Sequence, residues 1–243
     1  MRTVFGIILA GLIVAPALAD NPAAVAKELD RNFRKLKSIK AAIRTEQVIR
    51  GPAGVSTTTG GGQYEFLRED GKRKMRYERT ENTQVSGGSL PPTVKSVLTI
   101  CDGEYTVVQT TIRTLVIAKR MRKSDDLPEL GGRRLLDRML EENDVKMPDR
   151  GEDGDHDIPD EIEGKPVVTF EARPKRKGRV DHTIYVFFKD TGILARMESF
   201  DAEKQRMSLV THTGVKTDEE IDPKRFVYTP APTVNIIDET DGH

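Results

Sequence analysis

The sequence predicts a mainly-β domain of the α+β class. Its core is a single, strongly curved antiparallel sheet, a half-barrel, with an N-terminal helix and an inserted helical lid on the concave side. Three observations lead there. Apolar and polar residues alternate with period two through most of the chain, turn residues recur between those runs, and a helical period replaces the alternation around residue 30 and again around residue 135.

Ahead of the domain, Val4 to Ala15 is an apolar run behind Arg2. Pro16 breaks it and Ala17-Leu18-Ala19 supplies the small residues a signal peptidase requires, so residues 1–19 read as a secretory signal cleaved after Ala19. The run is too short to span a bilayer, which takes roughly 20 apolar residues. Residues 20–243 form the expected mature domain, exported to the periplasm, with no cysteine at the cleavage site to carry a lipid.

The 39 basic and 39 acidic residues of the chain cancel, which removes any global electrostatic case for nucleic acid or an anionic membrane surface. Cys101 stands alone, so a disulfide framework is excluded, and a buried packing role is expected for it.

The elements follow in order. From Pro22 to Leu36, Val25, Leu29, Phe33 and Leu36 recur at helical spacing among charged residues, the stripe of an amphipathic helix. Ser38 to Arg50 alternates as a half-buried strand, and the Gly, Pro and Thr rich stretch from Gly51 to Gly62 reads as a flexible hairpin connection. Strands are expected at Gln63–Glu69, Arg73–Arg79, Val94–Ile100, Glu104–Thr110 and Thr114–Met121, with turns at Asp70-Gly71 and Asp102-Gly103. Leu127, Leu130, Leu135, Leu136, Met139 and Leu140 then cluster as one or two short helices, the lid.

Glu141 to Glu163 carries eleven acidic and two basic residues and reads as a solvated loop or insertion. Strands resume at Pro166–Ala172, after which Arg173 to Arg179 forms a basic hairpin tip. Ile184, Val186 and Phe188 share one face of the next strand. Asp190-Thr191-Gly192 turns the chain, Ile193, Ala195 and Met197 share a face, and a second turn at Asp201 to Lys204 leads to Met207, Leu209 and Thr211.

Catalytic chemistry is nearly absent from the sequence. Of the four histidines, His182 and His212 fall in expected strands without a nucleophile motif nearby, and no phosphate loop, nucleophile elbow or zinc-protease motif occurs. Asp149 to Asp160 spaces oxygen ligands like a calcium loop but has Gly151 at the third position and Asp at the last. No metal, no cofactor and no enzymatic activity are expected. What the sheet offers is apolar surface: Ile39, Ile43, Tyr64, Phe66, Met75, Tyr77, Val107, Leu115, Ile117, Phe170, Val186, Phe188 and Met207 are the candidate wall of a cavity for acyl chains, or else an ordinary core.

Several segments together resemble the outer-membrane lipoprotein carrier family, the LolA-like proteins. They are the opening helix with Ser38 to Ile43, then Gly62 to Arg68 with Lys74 to Glu78, the Asp102-Gly103-Glu104-Tyr105 hairpin, and the tail Ile221-Asp222, Phe226 to Pro230, Val234, Ile237-Asp238. The resemblance implies a periplasmic half-barrel that carries acylated lipoprotein or lipid from an inner-membrane donor complex to an outer-membrane acceptor, as a monomer, without cofactor, nucleic acid or membrane span. It also implies that Arg68 latches the helical lid. Three departures are Glu69, where the family has proline, Tyr105, where it has a larger aromatic, and the long acidic stretch Glu141 to Glu163. The alternative reading of the same half-barrel is a periplasmic sensor or interaction module for lipoprotein or peptide.

Overall fold

The computed structural model describes residues 21–52, 54–86, 91–122, 130–148 and 159–240. Residues 1–19 and Leu127 therefore lie outside the described residues, as do 149–158 of the acidic segment. Helix α1 (Pro22–Lys35) begins where Asn21 accepts from the Ala23 amide at 3.0 Å, with proline in the first turn and Arg34 and Lys35 at its C-terminal end.

The chain then runs through β1 (Ser38–Gly51), β2 (Gly54–Glu69), β3 (Lys72–Val85), β4 (Thr93–Cys101), β5 (Tyr105–Ile112) and β6 (Leu115–Arg122) as an antiparallel meander. Helix α2 (Arg133–Glu142) interrupts it. After α2 come β7 (Asn143–Lys146), β8 (Glu161–Ile162), β9 (Lys165–Pro174), β10 (His182–Phe188), β11 (Leu194–Phe200) and β12 (Arg206–Thr217). A 3-10 turn at Pro223–Phe226 leads to β13 (Ile236–Asp238).

Spatial order is β13-β6-β5-β4-β3-β2-β1-β12-β11-β10-β9-β7, with β8 paired to β9. The long β1–β12 pair joins the two meanders, and β13 and β7 end the order without meeting. Among the described residues the result is one large, curved, unclosed sheet with two α-helices, the half-barrel expected from the sequence.

One expected connection is strand instead. The stretch from Gly54 to Gly62 belongs to β2, in unbroken register with β1 and β3, so the hairpin turn is confined to Gly51–Gly54. Thr57, Thr58 and Thr59 have the β-branched side chains strands favour. The glycines after them answer a close approach of backbones: a Cβ on Gly62 would lie 1.8 Å from the Glu78 carbonyl oxygen. The acidic segment likewise contributes structure at its described flanks, where Glu141 and Glu142 end α2 and β7 pairs along β9.

Two apolar clusters hold the fold. The larger joins Phe33 and Leu36 to Ile39, Ala41, Ile43, Tyr64, Phe66, Met75, Tyr77, Cys101, Leu130, Ile184, Val186 and Phe188. The second packs Ala26 and Leu29 of α1 and Leu135, Leu136 and Met139 of α2 on Val168, Phe170, Phe187 and Leu194. Cys101 is fully buried, as expected of a packing residue. His182 and His212 are buried in β10 and β12.

Candidate functional site

Strand register assembles most of the expected wall. Ile39 pairs with Phe66 and Phe66 with Met75, while Ala41 pairs with Tyr64 and Tyr64 with Tyr77, so these residues share one face of β1–β3. They are buried, roofed by the end of α1, where Phe33 lies 6.2 Å from Phe66 between ring centroids.

The same face continues outward through the pairs Arg79, Val97, Thr110, Ile117 and Glu81, Lys95, Ile112, Leu115. There the roof ends: Leu115 is 59% exposed and Ile117 40%. Arg79 sits over the Tyr77 ring at 5.5 Å and reaches Glu81 at 3.1 Å, lining the step from the covered to the open part.

Of the other expected wall residues, Ile43, Val186 and Phe188 belong to the same core, whereas Val107, Phe170 and Met207 are placed differently. Val107 pairs with Ile100, which pairs with Arg76 between Met75 and Tyr77, so Val107 is buried on the opposite face of the sheet. The sequence shows alternation within β5 but not which of its two half-apolar faces turns inward. Phe170 belongs to the second cluster, 5.9 Å from Phe187 and beneath the α2 leucines. Val186 and Phe188 join the larger core with Tyr64, whereas Met207 is only half-buried at the start of β12.

The expected lid residues are integral to the packing. Leu130 is buried in the larger core and its carbonyl accepts from the Leu194 amide at 2.6 Å. Leu135, Leu136 and Met139 are buried against Phe170 and Phe187, with Leu140 partly covered beside them. A groove of about 920 Å³ lies between α1 and α2, floored by Ala23, Ala26, Leu136 and Leu140 and walled by charged side chains.

Arg68 does hold a helix, but it is α1. Its guanidinium donates to the Arg34 carbonyl, its main-chain amide donates to the Lys37 carbonyl at 2.7 Å, and the charged group stands 5.7 Å over the Phe66 ring. Burial, with Arg73 and Arg34 nearby, lowers its pKa from the ordinary arginine value. Glu69 pairs with Lys74 at 2.6 Å rather than with Arg68.

The tail, whose motif contributes to the family resemblance, crosses the sheet. Arg225 pairs with Glu65 at 2.7 Å, Arg76 donates to the Arg225 carbonyl at 3.1 Å, and Tyr228 donates to Gln109 at 2.7 Å before β13 pairs in parallel with β6. Sequence reasoning left Phe33 and Leu36 out of the wall, although their place on the helical stripe was the available signal.

Chemistry is sparse. Glu171 is buried, and burial would raise its pKa, but hydrogen bonds from Arg173 and Lys146 outweigh that and hold it below the ordinary range. His182 pairs with Asp181 at 2.9 Å and stacks on Phe200. Burial depresses His212 to about 4 despite a hydrogen bond with the Leu194 main chain, and its Nδ1 has no hydrogen-bond partner among the described residues. Among the described residues no cluster of three or more His, Cys, Asp or Glu side chains is arranged to hold a metal ion, and no helix is long and apolar enough to cross a membrane.

No protein-family model and no curated protein matches the sequence. Solved structures to which the fold is similar include the Pseudomonas aeruginosa MucA/MucB complex, at 14% identity and a TM-score of 0.47, covering 86% of this chain and 61% of that chain. This chain thus spans about three fifths of the length of that MucB-complex chain. They also include an outer-membrane lipoprotein-sorting protein domain from Vibrio parahaemolyticus, at 10% identity and a TM-score of 0.35, covering 85% of this chain and 97% of that one. A LolA superfamily protein from Nitrosomonas europaea is similar at 7% identity and a TM-score of 0.27, covering 85% and 97%.

Proposed function

We propose that this protein is an exported, non-catalytic carrier that takes the acyl chain of a lipoprotein or lipid onto the apolar face of its sheet and moves it across the periplasm toward the outer membrane. One observation carries the reading. The face that buries Tyr64 and Phe66 of β2 and Met75 and Tyr77 of β3 under α1 continues, on the same side of the sheet across β4, to the exposed Ile112 of β5 and Leu115 and Ile117 of β6.

An acyl chain lying on the open part would gain about 0.8 kcal/mol for each methylene removed from water. Displacing α1 from Phe66 would extend that surface inward, and Arg68 resists the displacement by holding the end of α1. Directionality then requires only different affinities for donor, carrier and acceptor. Export rests on the apolar run Val4 to Ala15 with Ala17-Leu18-Ala19 after it.

The test is uptake of a fluorescent fatty acid by residues 20–243, followed by native mass spectrometry of protein taken from its own periplasm. Saturable uptake that falls in Leu115→Asp and Ile117→Asp, with thermal stability unchanged, is expected. No uptake and a clean apo mass would overturn the carrier reading in favour of a module that binds a polypeptide partner.

A further inference from the structure

The antiparallel order brings the β1–β2, β5–β6, β9–β10 and β11–β12 turns to one end of the sheet, together with the end of β3 and the start of β4. That end is unusual in two respects. Ile49, Val85 and Val94 are there 44%, 46% and 49% exposed, and in register Ile49 and Val85 flank Ser56 on one face. Val94 pairs with Asn82 and so faces the other way; single exposed apolar side chains are ordinary, but neighbours such as Ile49 and Val85 at hairpin ends mark a contact surface.

The second respect is charge. In the β9–β10 turn, Arg173 is engaged by Glu171 and Asp181, and Lys175 donates to the Leu140 and Glu141 carbonyls at 3.4 and 2.8 Å. These bonds brace the turn against the end of α2. Arg176, Lys177 and Arg179 are left exposed, and none makes an ion pair among the described residues. Of the acids at this end, Asp201 faces Arg50 at 3.7 Å and Asp181 faces Arg173 and His182, while Glu203, Glu141, Glu142 and Asp144 are exposed, the last two beside Lys175 and Arg173 at the base of the turn. The chain as a whole is neutral, so the cationic tip acts locally, over a screening length of about 8 Å.

We propose that this end of the sheet docks on an anionic phospholipid bilayer. Arg176, Lys177 and Arg179 meet the phosphate headgroups, and Ile49 and Val85 enter the boundary of the acyl region. Apolar tips and unpaired cations on one edge are what reversible interfacial binding requires, since neither alone holds a protein firmly to a membrane. The inference does not depend on the carrier reading.

The experiment is co-sedimentation of residues 20–243 with vesicles of phosphatidylcholine containing phosphatidylglycerol, against phosphatidylcholine alone, over a range of salt. Salt-sensitive binding to the anionic vesicles is expected. Replacing Arg176, Lys177 and Arg179 together by Gln should weaken it roughly a hundredfold, at about fivefold per cation. Ile49→Ser with Val85→Ser should weaken it several-fold without changing its salt dependence. Failure of the unaltered protein to bind anionic vesicles, or binding by the triple glutamine variant as tight as its parent, would overturn the proposal. So would capture of the basic turn by polyglutamate with no vesicle binding. Fatty-acid uptake measured without vesicles separates the two readings: uptake that persists while vesicle binding fails removes the docking surface and leaves the carrier standing.

Discussion

Arg68, at the end of β2, donates from its guanidinium to the main-chain carbonyl of Arg34 in the last turn of α1. The residue two before it, Phe66, packs on Phe33 of the same turn, so the strand grips the helix end by one polar and one apolar contact. The carbonyls of a helix's last turn lack partners within the helix, and a cation there also meets the negative end of the dipole.

Removing that donor should loosen the helix end without dissolving the core. Arg68→Leu is expected to cost about 1 kcal/mol in urea denaturation, a charged hydrogen bond discounted for partial exposure. Amide exchange at Phe33 to Leu36 should accelerate more than exchange in β10. Under the carrier reading, fatty-acid uptake should become faster.

Helix α2 should behave as core. Leu136 is 2% exposed beneath α1 and against β9–β11, so Leu136→Ala is expected to cost about 2–5 kcal/mol, read from the denaturation midpoint. A cost below about 1 kcal/mol would mean that α2 is free to swing as a lid.

Gly192 is the most constrained turn glycine, with φ +68° and a Cβ position 2.1 Å from the Leu29 carbonyl oxygen. Gly71 has φ +73° and open space around it. Gly71→Ala should therefore cost about 1 kcal/mol, the left-handed conformation alone, and Gly192→Ala at least about 3, because α1 must also move. Parallel urea titrations read the difference.

His212 predicts how stability responds to acid. Its folded pKa is depressed to about 4 by burial, against about 6.5 unfolded. The unfolded chain therefore binds the extra proton first as pH falls, and stability drops from about pH 6.5 until the folded pKa is passed. Between pH 7.5 and pH 5 this amounts to about 2 kcal/mol. His212→Phe should flatten that part of the profile, measured by urea unfolding at each pH.

Glu171 acts in a lower window. Its folded pKa is depressed, so its contribution is present above the unfolded carboxylate value of about 4.3 and is lost as pH falls through the folded pKa. Glu171→Gln should remove that acid-range loss while leaving the His212 profile between pH 7.5 and pH 5 intact.

The sequence by itself determined the antiparallel meander and both helical segments, though not β7, β8, β13 or the full reach of β2 and β3. Period-two alternation depends only on the backbone placing successive side chains on opposite faces, so Ile184-Val186-Phe188, the Asp190-Thr191-Gly192 turn and the helical stripe of α1 were readable locally. The Gly54 to Gly62 strand was not, because its glycines are dictated by the neighbouring Glu78 backbone and not by local preference. Tertiary structure alone decided sidedness. A strand apolar on both faces, such as β9 or β10, shows no preference in its sequence, and only the packing of α1 and α2 sends Phe170 to one cluster and Val186 to the other. The same holds for the open end of the sheet: Leu115 and Tyr77 share a face through three strand pairings, yet one is 59% exposed and the other buried, because Phe33 and Leu36 at the end of α1 pack into the core with Tyr77 and not with β6.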